Sequence, residues 1–207
     1  MNEIWAVWPT LHQEKSIEMI SFWHEYEYNV AVLVNPPFTH DDFIEADIVI
    51  VQPEWRGFPA AANILCKEVP GNIVVVVGDD IHPDKKSAQE IGERFLKRFP
   101  DTFGVIQPTG DKFGSWDKCA VSPWIGRKFI EQVGPYHEGY FHYFSDQELQ
   151  EHAMKLGVFE QWDDINQYHD HWQRNEEQKR PLHLLKAKKK WHDDKRIFEE
   201  RKLKGFK

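Results

Sequence analysis

With 207 residues, 41% of them hydrophobic, the chain can bury one good core, and a single domain with an appendage is expected over two full domains. Two cysteines without metal-type spacing exclude a disulfide scaffold, and no apolar run reaches the roughly 18 residues that a membrane span needs. The net charge of −8 is unevenly placed, 13 Lys and Arg against 6 Asp and Glu giving +7 on residues 174–207 over −15 on residues 1–173, and an acidic body argues against a duplex-binding groove there because nucleic-acid affinity comes largely from phosphate neutralisation.

Ile4-Trp-Ala-Val-Trp-Pro-Thr10 reads as a first strand, with Pro9 and Thr10 turning the chain out of it. From about Glu14 to Tyr28 apolar side chains recur at helical spacing, Ile17, Ile20 and Trp23 among them. Val30 to Val34 is a second strand, stopped by Asn35-Pro36-Pro37, and Ala46 to Val51 is a third. A small-residue helix from Arg56 to Cys66 precedes the strand Ile73 to Val77. Helical spacing returns between Asp84 and Phe99, followed by a short strand at Phe103 to Gln107. Ser122-Pro123 and Gly134 bracket a predicted helix, and Ser145 with Glu148 forms a predicted capping box at the start of another that ends near Gly157. Strands alternating with crossovers of this length predict an α/β fold with a mostly parallel, twisted sheet covered by helices.

The strand Ile73 to Val77 is the one around which the rest is organised. Five consecutive β-branched residues fit a central strand covered on both faces, and Gly78 releases the chain at its end to present Asp79, Asp80 and His82. The crevice beyond such strand ends is where open α/β sheets bind ligands. A solvated turn would use the same residue types.

Three blocks, Gly57-Phe-Pro-Ala-Ala-Ala-Asn63, Gly78-Asp-Asp-Ile-His-Pro83 and Phe144-Ser-Asp-Gln-Glu-Leu149, resemble in order and spacing the GT-A fold glycosyltransferases, particularly the inverting family that uses nucleotide-diphosphate sugars. The resemblance spans about Ile4 to His171 and implies a GT-A-like catalytic domain over residues 1–173, with residues 174–207 as a basic helical tail. It implies that Asp80-Ile-His82 is an Asp-x-His form of the metal motif, completed by His169 or His171. It also implies that Thr10, Asn35, Asn63, Asp79 and Asp80 contact the nucleotide diphosphate, and that Asp146 is the base. The chain departs from the family pattern at Gly78, Ser145, Asn35 and Ala62, which leaves the nucleotide open.

The chemistry these residues would support is sugar transfer to an acceptor hydroxyl. Departure of a nucleoside diphosphate builds negative charge that a divalent cation stabilises, and a mixed carboxylate and imidazole set suits Mn2+ better than Mg2+. A carboxylate in reach of the acceptor hydroxyl removes its proton; Asp146 in the first turn of a helix would also simply offset the helix dipole. A silent nucleotide-sugar-binding module and a metallohydrolase built on the same Asp and His residues are the competing readings.

The acceptor is not legible: a glycan, a protein, a small molecule or a nucleobase all remain. Trp116, Trp124 and the aromatic run from Tyr136 to Phe144 are candidates for sugar stacking or for core. The tail places Leu182, Leu185, Trp191, Ile197, Phe198 and Leu203 among Lys and Arg, which predicts an amphipathic helix. It would lie on an anionic membrane, bind nucleic acid, or dock on the acidic body; internal docking or a homo-oligomer contact is the simplest reading of the charge arrangement. The opening Met-Asn-Glu-Ile-Trp lacks the pattern of a secretory signal, so the expected location is cytoplasmic.

Overall fold

The computed structural model describes residues 3–112, 119–174 and 182–206. A seven-stranded sheet runs through it in the order β3-β2-β1-β4-β6-β5-β7. The strands are β1 (Ile4–Pro9), β2 (Asn29–Val34), β3 (Ile48–Val51), β4 (Ile73–Val76), β5 (Val105–Pro108), β6 (Trp124–Gly126) and β7 (Phe159–Trp162). β3, β2, β1 and β4 are mutually parallel, as are β5 and β7, while β6 lies antiparallel between β4 and β5.

Helices cover both faces, and the alternation along each central strand decides which residue meets which layer. Ile4, Ala6 and Trp8 of β1 and Ile73, Val75 and Val77 around β4 face the layer that includes α1 (Gln13–Glu25) and α3 (Ala88–Arg98). Trp5 and Val7, with Val74 and Val76, face α2 (Phe58–Glu68), α4 (Arg127–Gln132) and α5 (Ser145–Lys155). Burying each Val or Ile on both faces contributes about 1.5–3 kcal/mol, so the β-branched run that suggested a covered central strand is also what holds the two layers together.

Several local readings give way to tertiary pairing. The helix predicted from Ser122 begins only at Arg127, because Trp124, Ile125 and Gly126 pair with β4 and β5 instead. A Cβ on Gly126 would stand 2.0 Å from the Thr102 carbonyl oxygen, so the strand passes its neighbour at a distance only glycine allows. The capping box at Ser145 is absent. The cap residue is Phe144, in the left-handed region at φ 68, and Ser145 donates its hydroxyl to the His142 carbonyl. Glu148 turns away to Tyr140 and Arg201. β7 carries polar residues at a sheet edge and had no clear signal of its own.

The tail divides into α6 (Leu182–Lys188) and α7 (Trp191–Leu203). α7 docks on α5: Arg201 reaches Glu148 through Nε and Nη2 at 3.0 and 2.9 Å, and Lys202 reaches Glu151 at 2.7 Å. Phe198 stacks on Phe144 with ring centroids 5.4 Å apart and joins Tyr140 and Phe206 in a small separate core. Among the described residues, no helix is long and apolar enough to cross a membrane.

Candidate active site

The strand ends of β1, β2 and β4 converge on one rim, and most of the candidate residues stand there. Thr10, buried just past β1, donates its hydroxyl to Asp79 Oδ2 at 2.8 Å. Burial, and then the neighbouring Asp80 charge, raise the Asp79 carboxyl above its ordinary range, against the lowering effect of Thr10. Burial acts on Asp80 in the same direction but is outweighed by its hydrogen bond with His169 and that ring's charge, so Asp80 titrates below the usual value. Two adjacent carboxylates therefore sit in different environments on one strand end.

His169 Nε2 lies 3.2 Å from Asp80 Oδ2. The chain brings them together through a short antiparallel bridge between Ile81 and His169, flanked by His82 N–H to the Tyr168 carbonyl at 2.8 Å and Asp170 N–H to the Asp80 carbonyl at 2.7 Å. Trp23 Nε1 donates to the Ile81 carbonyl at 3.0 Å, fixing the segment from the α1 side. Buried Asp84 accepts the backbone N–H groups of Lys86 and Asn166, at 2.7 and 2.6 Å, which ties the loop before His169 to the segment after β4.

The other candidates take distinct positions. The ring of His171 is 4.9 Å from that of His169. The ring of His82 lies 5.2 Å from Phe22 and 5.8 Å from Tyr168, so the ion pair at Asp80 runs to His169 and the His82 ring packs among aromatic side chains. Asn35, just past β2, donates Nδ2 to the Gln52 carbonyl at 2.8 Å, leaving its Oδ1 as a buried acceptor with no donor among the described residues. Asn63 has a different task from the one expected of it. Its side chain accepts from Tyr136 N–H at 3.1 Å and donates to the Tyr136 carbonyl at 2.8 Å, so both amide groups are used in fastening α2 to the segment before α5.

Asp146 is half-buried at the first turn of α5. Burial pushes its carboxyl above the usual range, partly offset by the Gln147 N–H and by a hydrogen bond from Cys119. The Ala120 N–H donates to the Asp146 carbonyl at 3.2 Å. Two residues on, Ser122 donates its N–H to Gln107 Oε1 at 3.1 Å and its hydroxyl to Gln167 Oε1 at 3.3 Å, a buried link reaching to within two residues of His169. The segments carrying Asp146 and His169 are thus braced through one short stretch of chain. Trp124 is buried in the core, 5.7 Å from the Tyr28 ring, and Trp116 lies outside the described residues.

Three residues at the rim were not foreseen. His12 N–H donates to Thr10 Oγ1 at 3.0 Å, Lys15 acts on both Asp79 and Asp80, and His183 of α6 lies with its ring 5.7 Å from that of His12. The rule that picked Asp79 and Asp80, a polar side chain just past a strand end, also applies to His12. Nothing local marks His183.

Among the described residues, no three His, Cys, Asp or Glu side chains come together as a complete metal site. The donor set nonetheless fits a divalent cation that takes its remaining ligands from a diphosphate and water: one carboxylate and one imidazole already face each other, which suits Mn2+.

No protein-family sequence model matches the chain, and no curated protein matches it in sequence. Solved structures do. A mannosyltransferase from Pyrobaculum calidifontis, PcManGT, in complex with GDP-Man and Mn2+, is similar with a TM-score of 0.62 and 14% identity over 79% of this chain and 55% of that one. TarS of S. aureus has a TM-score of 0.62 and 11% identity over 82% of this chain and 37% of that one. Glucosyl-3-phosphoglycerate synthase from Mycobacterium tuberculosis, in complex with Mn2+, uridine diphosphate and phosphoglyceric acid, has a TM-score of 0.61 and 15% identity over 99% of this chain and 78% of that one. The chain thus spans about half the length of PcManGT and less of TarS. The architecture is the α/β, mostly parallel sheet of GT-A-type nucleotide-sugar glycosyltransferases.

Proposed function

We propose that this protein is a metal-dependent glycosyltransferase that moves a sugar from a nucleotide-diphosphate donor to an acceptor hydroxyl with inversion. The observation that carries the reading is the 3.2 Å pairing of Asp80 with His169 at the end of the central strand. A carboxylate and an imidazole, brought together from distant parts of the chain, form half of a cation site whose other half a diphosphate completes. Asp80 and His169 hold the cation in this reading, with His171 beside them, and the bound cation supplies Lewis-acid stabilisation of the departing diphosphate.

The chain's own groups account for the rest. In this reading the buried Asn35 Oδ1 accepts an N–H from a nucleobase, which answers an acceptor that would otherwise cost about 1–3 kcal/mol to leave unmet. Thr10 holds Asp79 in a fixed rotamer at the same rim. Asp146 takes the acceptor's proton as the hydroxyl attacks the anomeric carbon. Burial raises the Asp146 pKa, which makes it a stronger base than an exposed carboxylate. In this reading Asp146 alone acts on the acceptor, so the transfer is a single displacement with inversion. Residues 1–173 form the catalytic unit, with the acceptor drawn from glycans, proteins, small molecules or nucleobases.

The test is a thermal-shift panel of UDP-, GDP-, CMP- and dTDP-sugars with and without Mn2+. Stabilisation by one nucleotide class only when Mn2+ is present supports the reading. Stabilisation by the metal alone favours a hydrolase. An Asp146→Asn protein that binds donor as before but no longer turns it over identifies the base, whereas unchanged turnover removes Asp146 from that role.

A further inference from the structure

The tail helix α6 reaches the rim of the candidate site. His12 sits two residues beyond Thr10, which it touches through its N–H at 3.0 Å, and Thr10 in turn holds Asp79 at 2.8 Å. The His183 ring lies 5.7 Å from the His12 ring at an interplanar angle of 53°, so α6 and the turn after β1 bring two imidazoles side by side at the rim. His183 is half-buried there and feels both the His12 ring and the Asp80 carboxylate.

The electrostatics of that space ask for donors. Asp79 and Asp80 already place two carboxylates at the strand end, and a diphosphate adds more negative charge beside them. One divalent cation and Lys15 offset part of this. Imidazole N–H groups on the side of Asp79 that His12 occupies would meet phosphate oxygens directly. An acidic body of −15 attracts a tail of +7.

We propose that His183, together with His12, contacts the diphosphate of the donor, so that the basic tail is part of the nucleotide site rather than only a strut against α5. The inference rests on the glycosyltransferase reading of the strand-end site and goes beyond it by assigning a role to the tail.

Calorimetric titration of UDP, GDP, their monophosphates and inorganic pyrophosphate, each with Mn2+, tests it on the full chain. The unsubstituted protein is expected to bind UDP or GDP. His183→Ala and His12→Ala each weaken the nucleoside diphosphate and pyrophosphate by about tenfold or more, and the monophosphate by far less. His183→Gln, which keeps an N–H donor, recovers much of the loss, and Leu185→Ala on the same helix changes nothing. Unliganded melting temperatures stay close across the set, since His12 is exposed and His183 only half-buried. Diphosphate affinity unchanged in His183→Ala overturns the proposal while leaving the reading of the site intact, and so does an equal loss in Leu185→Ala. Absence of any nucleotide or pyrophosphate binding by the unsubstituted protein overturns both.

Discussion

Asp194 offers the sharpest test of how the tail holds the body. Its carboxylate is 1% exposed, and it accepts three consecutive backbone N–H groups, from Phe141 at 2.9 Å on Oδ1 and from His142 and Tyr143 at 3.0 and 2.9 Å on Oδ2. The same loop passes its Phe141 carbonyl to Phe58 N–H at the start of α2 and leads directly into Asp146, so it joins three elements. In Asp194→Asn the amide oxygen can keep two of the three donors, while its NH2 group is set against the third. One buried N–H left unmet, with the loss of a charged acceptor, costs about 2 kcal/mol. For a chain of this size that lowers the melting temperature by about 4–8 °C. Asp194→Ala removes all three bonds, and is expected to lose about 3–5 kcal/mol, with faster hydrogen exchange at Phe141, His142 and Tyr143. Thermal unfolding followed by circular dichroism, with exchange measured by mass spectrometry, reads both effects. An Asp194→Ala protein that melts within about 2 °C of the unsubstituted chain, with unchanged exchange, would refute this account of the loop.

Three other outcomes follow from single positions. Because burial raises the Asp146 carboxyl, the folded protein keeps that proton to higher pH than the unfolded chain does; this contribution to stability is complete below the ordinary carboxylate pKa and is lost as pH rises through the raised value. Asp146→Asn should therefore melt higher than the unsubstituted protein at neutral pH, with the gap closing toward about pH 4, and a gap that widens on acidification contradicts it. Burial pushes the Cys66 thiol up to about 12, so iodoacetamide at mildly alkaline pH should spare it in the folded protein and label it once urea unfolds the chain, as peptide mapping would show. Gly57 has φ 104, and a Cβ there would stand 2.4 Å from the Phe141 carbonyl oxygen, so Gly57→Ala should cost about 1–3 kcal/mol in urea unfolding; an unchanged midpoint would mean that the loop yields freely.

The sequence by itself determined the central sheet and the end of it that carries chemistry. Runs such as Ile73 to Val77 specify a strand buried on both faces wherever they fold, and Gly78 followed by two aspartates has to emerge from such a strand. What it left undecided depended on partners far along the chain. Trp124 to Gly126 carried helix signals on both sides, yet two open strand edges claimed those residues, because ladder pairing with β4 and β5 outweighs a local propensity of a few tenths of a kcal/mol per residue. Glu148 was suited to a capping box until Arg201 and Tyr140 gave it stronger, buried partners. Asn63 matched a motif while its amide was committed to Tyr136. Which of His169 and His171 pairs with Asp80, and that His183 stands at the rim, only the fold decided, since an imidazole's partner is set by which loop and which tail helix pack beside Asp80 and His12, and periodicity in the sequence records the faces of elements but not the neighbours they meet.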